Sequence, residues 1–397
     1  MSSTGNSTSN TSSSAFTPWL SASQRITTDV VGGKFSVGNF EDHLNAAVEW
    51  MERAHDQGDD DGVSYGFCLR GPDLKNIGVL GWRPSYLETS GYIIETFYDL
   101  ADRADNEKYR ERAEAIARWL LTVQNDDGSF SNPQYGGGGI VFDTGQDLFG
   151  LVRAYRETKD EVFLVAAQRA AQWLADSLDE DGAWRRNTHL NCIHTYNTRC
   201  AWAMLELNDA HPDSDIRDAA CRNLDWAITQ QQENGFFNNC AFEPGLPPFT
   251  HTIAYAIRGF VEAGRLLDSD KYYAVAQKAA DRMTEYVSWN GHIPGRISVT
   301  GEPRSTSCCL TGNCQMAIIW YYLAERSNDK ASLSAARKSL EFVMSVQDIK
   351  TSDKNVNGAI KGSHPIWGKY TPLAYPNWAT KFFIEAMLLK EKAEATA

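Results

Sequence analysis

The chain has 397 residues, a formal net charge of −13 and no cluster of Lys and Arg, which excludes a nucleic-acid binder that needs a basic face. No apolar run approaches the roughly 20 residues of a membrane span. The eight cysteines follow no metal or disulfide spacing, as expected in a reducing compartment.

Residues 1–15, MSSTGNSTSNTSSSA, are almost free of apolar side chains. They cannot bury enough surface to offset the entropy of ordering, so residues 1–20 are expected to be a disordered tail ahead of a single domain over 21–397. The tail has neither the basic nor the apolar region of a signal peptide, and a cytoplasmic location is the expectation.

The first helix is predicted at Phe40–Asp56, with Leu44, Ala47, Val48 and Met51 on one face. A Gly- and Pro-rich loop leads to a second helix, Glu88–Ala104. A third, Asn106–Gln124, places Ala113, Ile116, Ala117 and Leu120 opposite Arg and Glu, the pattern of a helix with one face in solvent. The fourth, Thr144–Thr158, is more apolar. The alternation then continues through Glu161–Leu178, Tyr196–Ala210, Ser214–Gln231, His251–Leu267, Lys271–Val287, Gly312–Arg326, Lys330–Val346 and Asn377–Lys392.

A repeat underlies this order. Trp119, Trp173 and Trp226 lie 54 and 53 residues apart, each nine residues before the glycine of an Asp-Gly or Asn-Gly pair. Such pairs end the outer helices at Gly128, Gly182, Gly235, Gly291 and Gly358 and supply the positive-φ residue of a tight turn. Twelve helices in six pairs, one ring outside another, predict an all-α (α/α)6 toroid. Its long loops gather at one end, where sites are usually built.

The layout resembles the six-hairpin glycosidase group and also the terpenoid-cyclase and protein-prenyltransferase toroids. The phrases GWRPSYLETSGYI, SCCLTGNCQMAIIW and IWGKYTPLAYPNWATKFF resemble a family associated with polysaccharide biosynthesis. The resemblance implies a carbohydrate-active enzyme acting on an oligo- or polysaccharide, uronic-acid-containing chains included.

In a toroid the inner-helix N-termini converge, and with them the candidate site residues. Glu88 and Asp143, at the starts of adjacent inner helices, are the acid/base carboxylates that glycoside hydrolysis requires; the pairing resembles that of unsaturated glucuronyl hydrolases. As ordinary helix-start acids they would stabilise their helices by only ~0.3–2 kcal/mol. His194 and Tyr196 are the candidate bases of an alternative lyase or uronate epimerase. Substrate-binding candidates are Trp82, Arg83, Tyr86, Gln146, Asn197, Arg199, His251, Tyr255, Asn313, Lys361, His364, Trp367 and Trp378, a mixture of flat rings and planar hydrogen-bonding groups suited to sugars.

No cofactor is implied, and Cys308, Cys309 and Cys314 lack zinc-site spacing. Gln124 ahead of Gly128-Ser129-Phe130 resembles the QW repeats of triterpene cyclases, but Asp213-Ser214-Asp215-Ile216 falls short of their acidic motif. Terpenoid chemistry and a non-catalytic glycan binder stand as the rival readings.

Overall fold

The computed structural model describes Thr27, Asp29 and residues 38–69, 81–131 and 138–395. The expected tail lies outside these residues. The described residues hold twelve α-helices. The outer ones are α1 (Phe40–His55), α3 (Glu107–Val123), α5 (Glu161–Asp176), α7 (Ser214–Ile228), α9 (Asp270–Thr284) and α11 (Lys330–Val346). The inner ones are α2 (Leu87–Ala104), α4 (Val141–Thr158), α6 (Thr198–Ala210), α8 (Thr250–Leu266), α10 (Leu310–Ser327) and α12 (Asn377–Ala395).

Burial separates the two rings. In α5 the buried residues are Phe163, Leu164, Ala166, Ala167, Ala170, Ala171 and Leu174, one face of a helix. In α8 every residue from Thr250 to Gly264 is buried. Each inner helix touches the next around the circle, α12 touches α2, and so the ring closes as a toroid. Each inner helix packs on the outer helix that follows it, across a short turn. The last hairpin joins the two ends of the chain, α1 against α12.

The Asx-Gly turns hold the outer ring together. All five glycines have positive φ, and all five carbonyls accept a side-chain amide. Gln124 reaches Gly128, Asn223 reaches Gly182, Gln231 reaches Gly235, Asn313 reaches Gly291 and Gln347 reaches Gly358, at 2.7–3.2 Å. Each turn sits on the backbone of the next outer helix: a Cβ on Gly358 would lie 1.9 Å from the Ala46 carbonyl oxygen. Gln347 extends the closure, donating to His43 O (3.2 Å) while its Oε1 lies 2.6 Å from His43 Nδ1.

Small sheets brace the long-loop end. Strands β1 (Gly66–Cys68), β2 (Gly81–Trp82) and β5 (Ala374–Pro376) pair antiparallel in the order β2-β1-β5, and β3 (Cys308–Cys309) pairs with β4 (Ser363–His364). At the short-loop end the inner helices carry ion pairs, buried at Arg258–Glu262, Arg258–Glu385 and Lys381–Glu385 and partly exposed at Arg265–Glu206 and Arg156–Glu206. No described helix is long and apolar enough to cross a membrane.

Candidate active site

Glu88 and Asp143 both occupy the first turn of an inner helix, α2 and α4. Neither helix has a side-chain N-cap bond, and an acid there is favoured by the helix dipole. Tyr86 Oη donates to Glu88 Oε2 at 3.2 Å. Glu88 is half-buried and Asp143 buried. Burial and then the charge of Asp143 push the Glu88 carboxyl up to about 8, against the opposing pull of the Tyr86 hydroxyl and the Arg199 cation.

A third carboxyl lies one helical turn below. Asp147 is fully buried, its oxygens have no side-chain partner among the described residues and face the Gly91 backbone, and a Cβ on Gly91 would lie 2.5 Å from its Oδ1. Burial, Asp143 and Glu88 hold it well above the carboxylate range. Its signal in the sequence was the i, i+4 spacing from Asp143, which repeats one helix face a turn deeper.

Arg199 marks the ring axis. Its guanidinium lies 4.9–5.6 Å from the rings of Tyr92, Phe149, Trp202, Tyr255 and Phe382, which come from α2, α4, α6, α8 and α12. Its Nε donates to Gln146 Oε1 at 2.5 Å, Gln146 Nε2 reaches Phe142 O, and Arg199 Nη2 has no hydrogen-bond partner among the described residues. Asn197 is buried, and neither end of its amide has a hydrogen-bond partner among the described residues. Buried polar groups are normally paired, so these atoms are available to a polar ligand.

A band of rings surrounds the acids. Trp378 packs edge-on to Tyr65 and donates from Nε1 to Tyr370 Oη. Tyr370 touches Phe249 and His251, and His251 lies against Tyr255. Gln315 Nε2 lies 3.1 Å from His251 Nδ1, and burial and Arg199 push this imidazole down to about 3, so it is neutral. Phe142 bridges Tyr255 and Tyr196.

Other expected residues have structural employment. Both ring nitrogens of His194 face backbone carbonyls, Nδ1 at Ala241 O (3.1 Å) and Nε2 at His189 O (2.8 Å). Its ring stacks on Tyr196, with centroids 4.6 Å apart. Tyr196 is buried and held well above the usual phenol range, first by burial and then by Glu88. Asn313 donates to Gly291 O and Ser339 Oγ and accepts from Cys308 Sγ, which places it in the turn latch rather than at a substrate.

Lys361 is buried against Asp29 (2.6 Å), with His364 Nδ1 at 3.1 Å. Trp82 is tied to Asn355 and packs on Trp50. Trp367 is 44% exposed at the rim. Arg83 is half-buried and makes no ion pair among the described residues.

A family model, the squalene–hopene cyclase C-terminal domain, matches residues 82–261. The search of curated proteins finds no match. Among solved structures, the unsaturated glucuronyl hydrolase of Bacillus sp. GL1 superposes with a TM-score of 0.69 and 16% identity, covering 89% of this chain and 97% of that one. A polysaccharide lyase gives 0.66 and 10%, covering 91% and 99%. A glycosyl hydrolase of family 88 from Bacteroides vulgatus gives 0.63 and 11%, covering 90% and 100%. The likeness is one of fold: the chain is an (α/α)6 toroid, as these structures are.

Proposed function

We propose that the protein is a carbohydrate-active enzyme that cleaves a glycosidic bond in an oligo- or polysaccharide, with Glu88 as proton donor and Asp143 as its ionised partner. The observation that carries this is the unequal pair. Two carboxyl groups at adjacent helix starts, one held up to about 8 by burial and by its neighbour, share one proton at neutral pH. Hydrolysis needs that state: an acid to protonate the leaving oxygen and a carboxylate to assist at the anomeric carbon. The surrounding rings and the unsatisfied Asn197 and Arg199 groups offer stacking faces and hydrogen bonds to a sugar.

The lyase reading receives less support, because His194 is held by two carbonyls and Tyr196 keeps its proton. Terpenoid cyclisation is favoured by the family-model match and by the aromatic band. However, a cavity for a hydrocarbon chain would not hold Arg199, Asn197 and Gln315 with unpaired polar atoms.

The test is incubation with neutral and uronic-acid oligosaccharides, read by mass spectrometry and ultraviolet absorbance, with squalene and a polyprenyl diphosphate in parallel. Gain of one water and its loss in Glu88→Gln support hydrolysis. A new unsaturated-uronide absorbance, or cyclised isoprenoid, supports the alternatives.

A further inference from the structure

An open cavity of about 780 Å³ lies beside the acid site, between the loops 191–194, 237–248 and 298–304. His194 lines it on one face and stacks on Tyr196 with the other, so this one pair of rings separates the cavity from the surroundings of Glu88. The lining combines two characters. Asn191 and Asn238 present side-chain amides that make no hydrogen bond among the described residues and Glu243 adds a carboxylate, while Leu246, 43% exposed, and the following Pro247 and Pro248 form an apolar strip. Amides beside an apolar strip suit a sugar, which has hydroxyl edges and a C–H face. A nucleotide fits less well: Arg185 is held by Asp179 and Asp181, and Arg304 by Glu302, so neither is free for phosphate.

Arg296 lies next to the Pro247–Pro248 strip, where Ile297 N donates to Pro248 O. Its guanidinium lies 3.9 Å from the centroid of the Phe249 ring, and Phe249 in turn touches Phe242 and Tyr370. The backbone is pinned there by the Phe249–Arg296 bridge and by Arg304 N donating to Arg296 O at 2.8 Å. Arg296 is half-buried, makes no ion pair among the described residues and leaves Nε without a partner. In a chain of net charge −13, a guanidinium fixed on a ring and out of ion-pair reach of every described carboxylate, with Glu243 of the cavity lining acting on it only from farther off, is suited to an anionic planar group.

We infer that this cavity is an accessory subsite for the same glycan chain, and that the sugar crossing the Arg296–Phe249 shelf carries an acidic group. The inference rests on the proposed glycosidase reading and adds chain length and charge to its specificity. The enzyme takes chains that extend beyond the sugar held at the acids.

The experiment uses the full chain and acidic and neutral di-, tetra- and hexasaccharide series, with turnover measured on the parent protein and calorimetric binding on Glu88→Gln. The expected result is a KM that falls at least tenfold from di- to hexasaccharide. Leu246→Arg, an exposed substitution that fills the cavity, removes this gain and leaves turnover of the disaccharide unchanged. Arg296→Gln weakens the acidic series about tenfold and spares the neutral one. Melting temperatures within error of the parent show that both variants are folded. A length gain that survives Leu246→Arg, or an equal effect of Arg296→Gln on both series, overturns the inference. If the parent shows no length dependence while Glu88→Gln still abolishes turnover, the subsite falls and the glycosidase reading stands. If no member of either series is bound or cleaved, both fall.

Discussion

Burial keeps a proton on Glu88, and the charge of Asp143 strengthens the hold. The two carboxyls belong to different helices, and the packing of α2 on α4 brings them together. After burial, the Asp143 charge is the largest influence raising the Glu88 carboxyl to about 8, and Arg199 and the Tyr86 hydroxyl moderate it. The arrangement separates one acid from one base at neutral pH with two chemically similar groups.

The first prediction is kinetic. Glu88→Gln and Asp143→Asn should each lower turnover by roughly 10²–10⁴-fold, the usual contribution of a positioned proton-transfer group. In the parent enzyme, activity should fall on the alkaline side with an apparent pKa near 8, as Glu88 loses its proton. Residual activity of Asp143→Asn should show that limb at lower pH, because the charge that raises Glu88 is gone. An unchanged alkaline limb would mean that another group supplies the proton.

The same shift affects stability. The folded-state value of about 8 lies above the ordinary 4.5 of Glu. Between those pH values the folded chain holds a proton that the unfolded chain releases, so stability falls as pH rises through the interval. The upper bound is about 1.4 kcal/mol per unit, and the partial exposure of Glu88 reduces the total to about 2–3 kcal/mol. Urea denaturation at pH 5 and pH 9 should therefore show the parent losing about 2–3 kcal/mol more than Glu88→Gln. Parallel losses would remove Glu88 as the cause.

Much of the ring was legible in the sequence because its devices are local. Helical spacing showed which face of each outer helix is buried, and the Asx-Gly pairs marked the turns. The two-to-three-residue strands were too short to leave a pattern, and α6 begins at Thr198 rather than Tyr196 because Thr195–Asn197 form a 3₁₀ turn. At the site, Glu88 and Asp143 could be named from their place at helix starts. Asp147, one turn below Asp143 on the same helix face, was missed although its spacing was visible, whereas Arg296 and the Asp29–Lys361 pair left no signal. Asp29 and Lys361 meet across 332 residues of sequence, and Arg296 stacks on Phe249 from another loop, so only the fold brings these partners together. His194, a candidate base, and Asn313, a candidate for substrate binding, follow from their places near inner-helix starts, and in the structure their nitrogens face backbone carbonyls and, for Asn313, the Ser339 hydroxyl.

Ring closure predicts a contrast between two glycines of nearly equal φ. Gly358 (φ 84°) would place a Cβ 1.9 Å from the Ala46 carbonyl oxygen, whereas Gly245 (φ 79°) has nothing within 4 Å. Gly245→Ala should cost only the left-handed strain of about 1–2 kcal/mol. Gly358→Ala adds a backbone clash and should cost more than about 4 kcal/mol. Urea midpoints of the two variants decide it, and equal losses would show that the closing turn can shift away from α1 at little cost.

His194 and Tyr196 separate the hydrolytic reading from a lyase. If His194 were the base that removes a sugar proton, it would need a free nitrogen, and the structure gives both to carbonyls of the loops at His189 and Ala241. His194→Phe keeps a ring against Tyr196 and deletes the one hydrogen bond that a neutral imidazole donates to these carbonyls. It should therefore lower stability by about 1–3 kcal/mol, the cost of leaving a buried acceptor unmet, and leave the rate on the true substrate within about threefold, well short of the 10²–10⁴-fold loss of a proton-transfer group. Tyr196, whose phenol burial and Glu88 hold in its protonated form, is suited to donating a hydrogen bond and not to abstracting a proton. Tyr196→Phe should cost less than about tenfold in rate, the effect of losing one ordinary hydrogen bond of about 0.5–1.5 kcal/mol. Denaturation midpoints and initial rates on the four single variants give a plain contrast. If His194→Phe or Tyr196→Phe abolishes activity while Glu88→Gln and Asp143→Asn retain it, proton abstraction by the His–Tyr pair replaces acid-assisted hydrolysis as the chemistry of this ring.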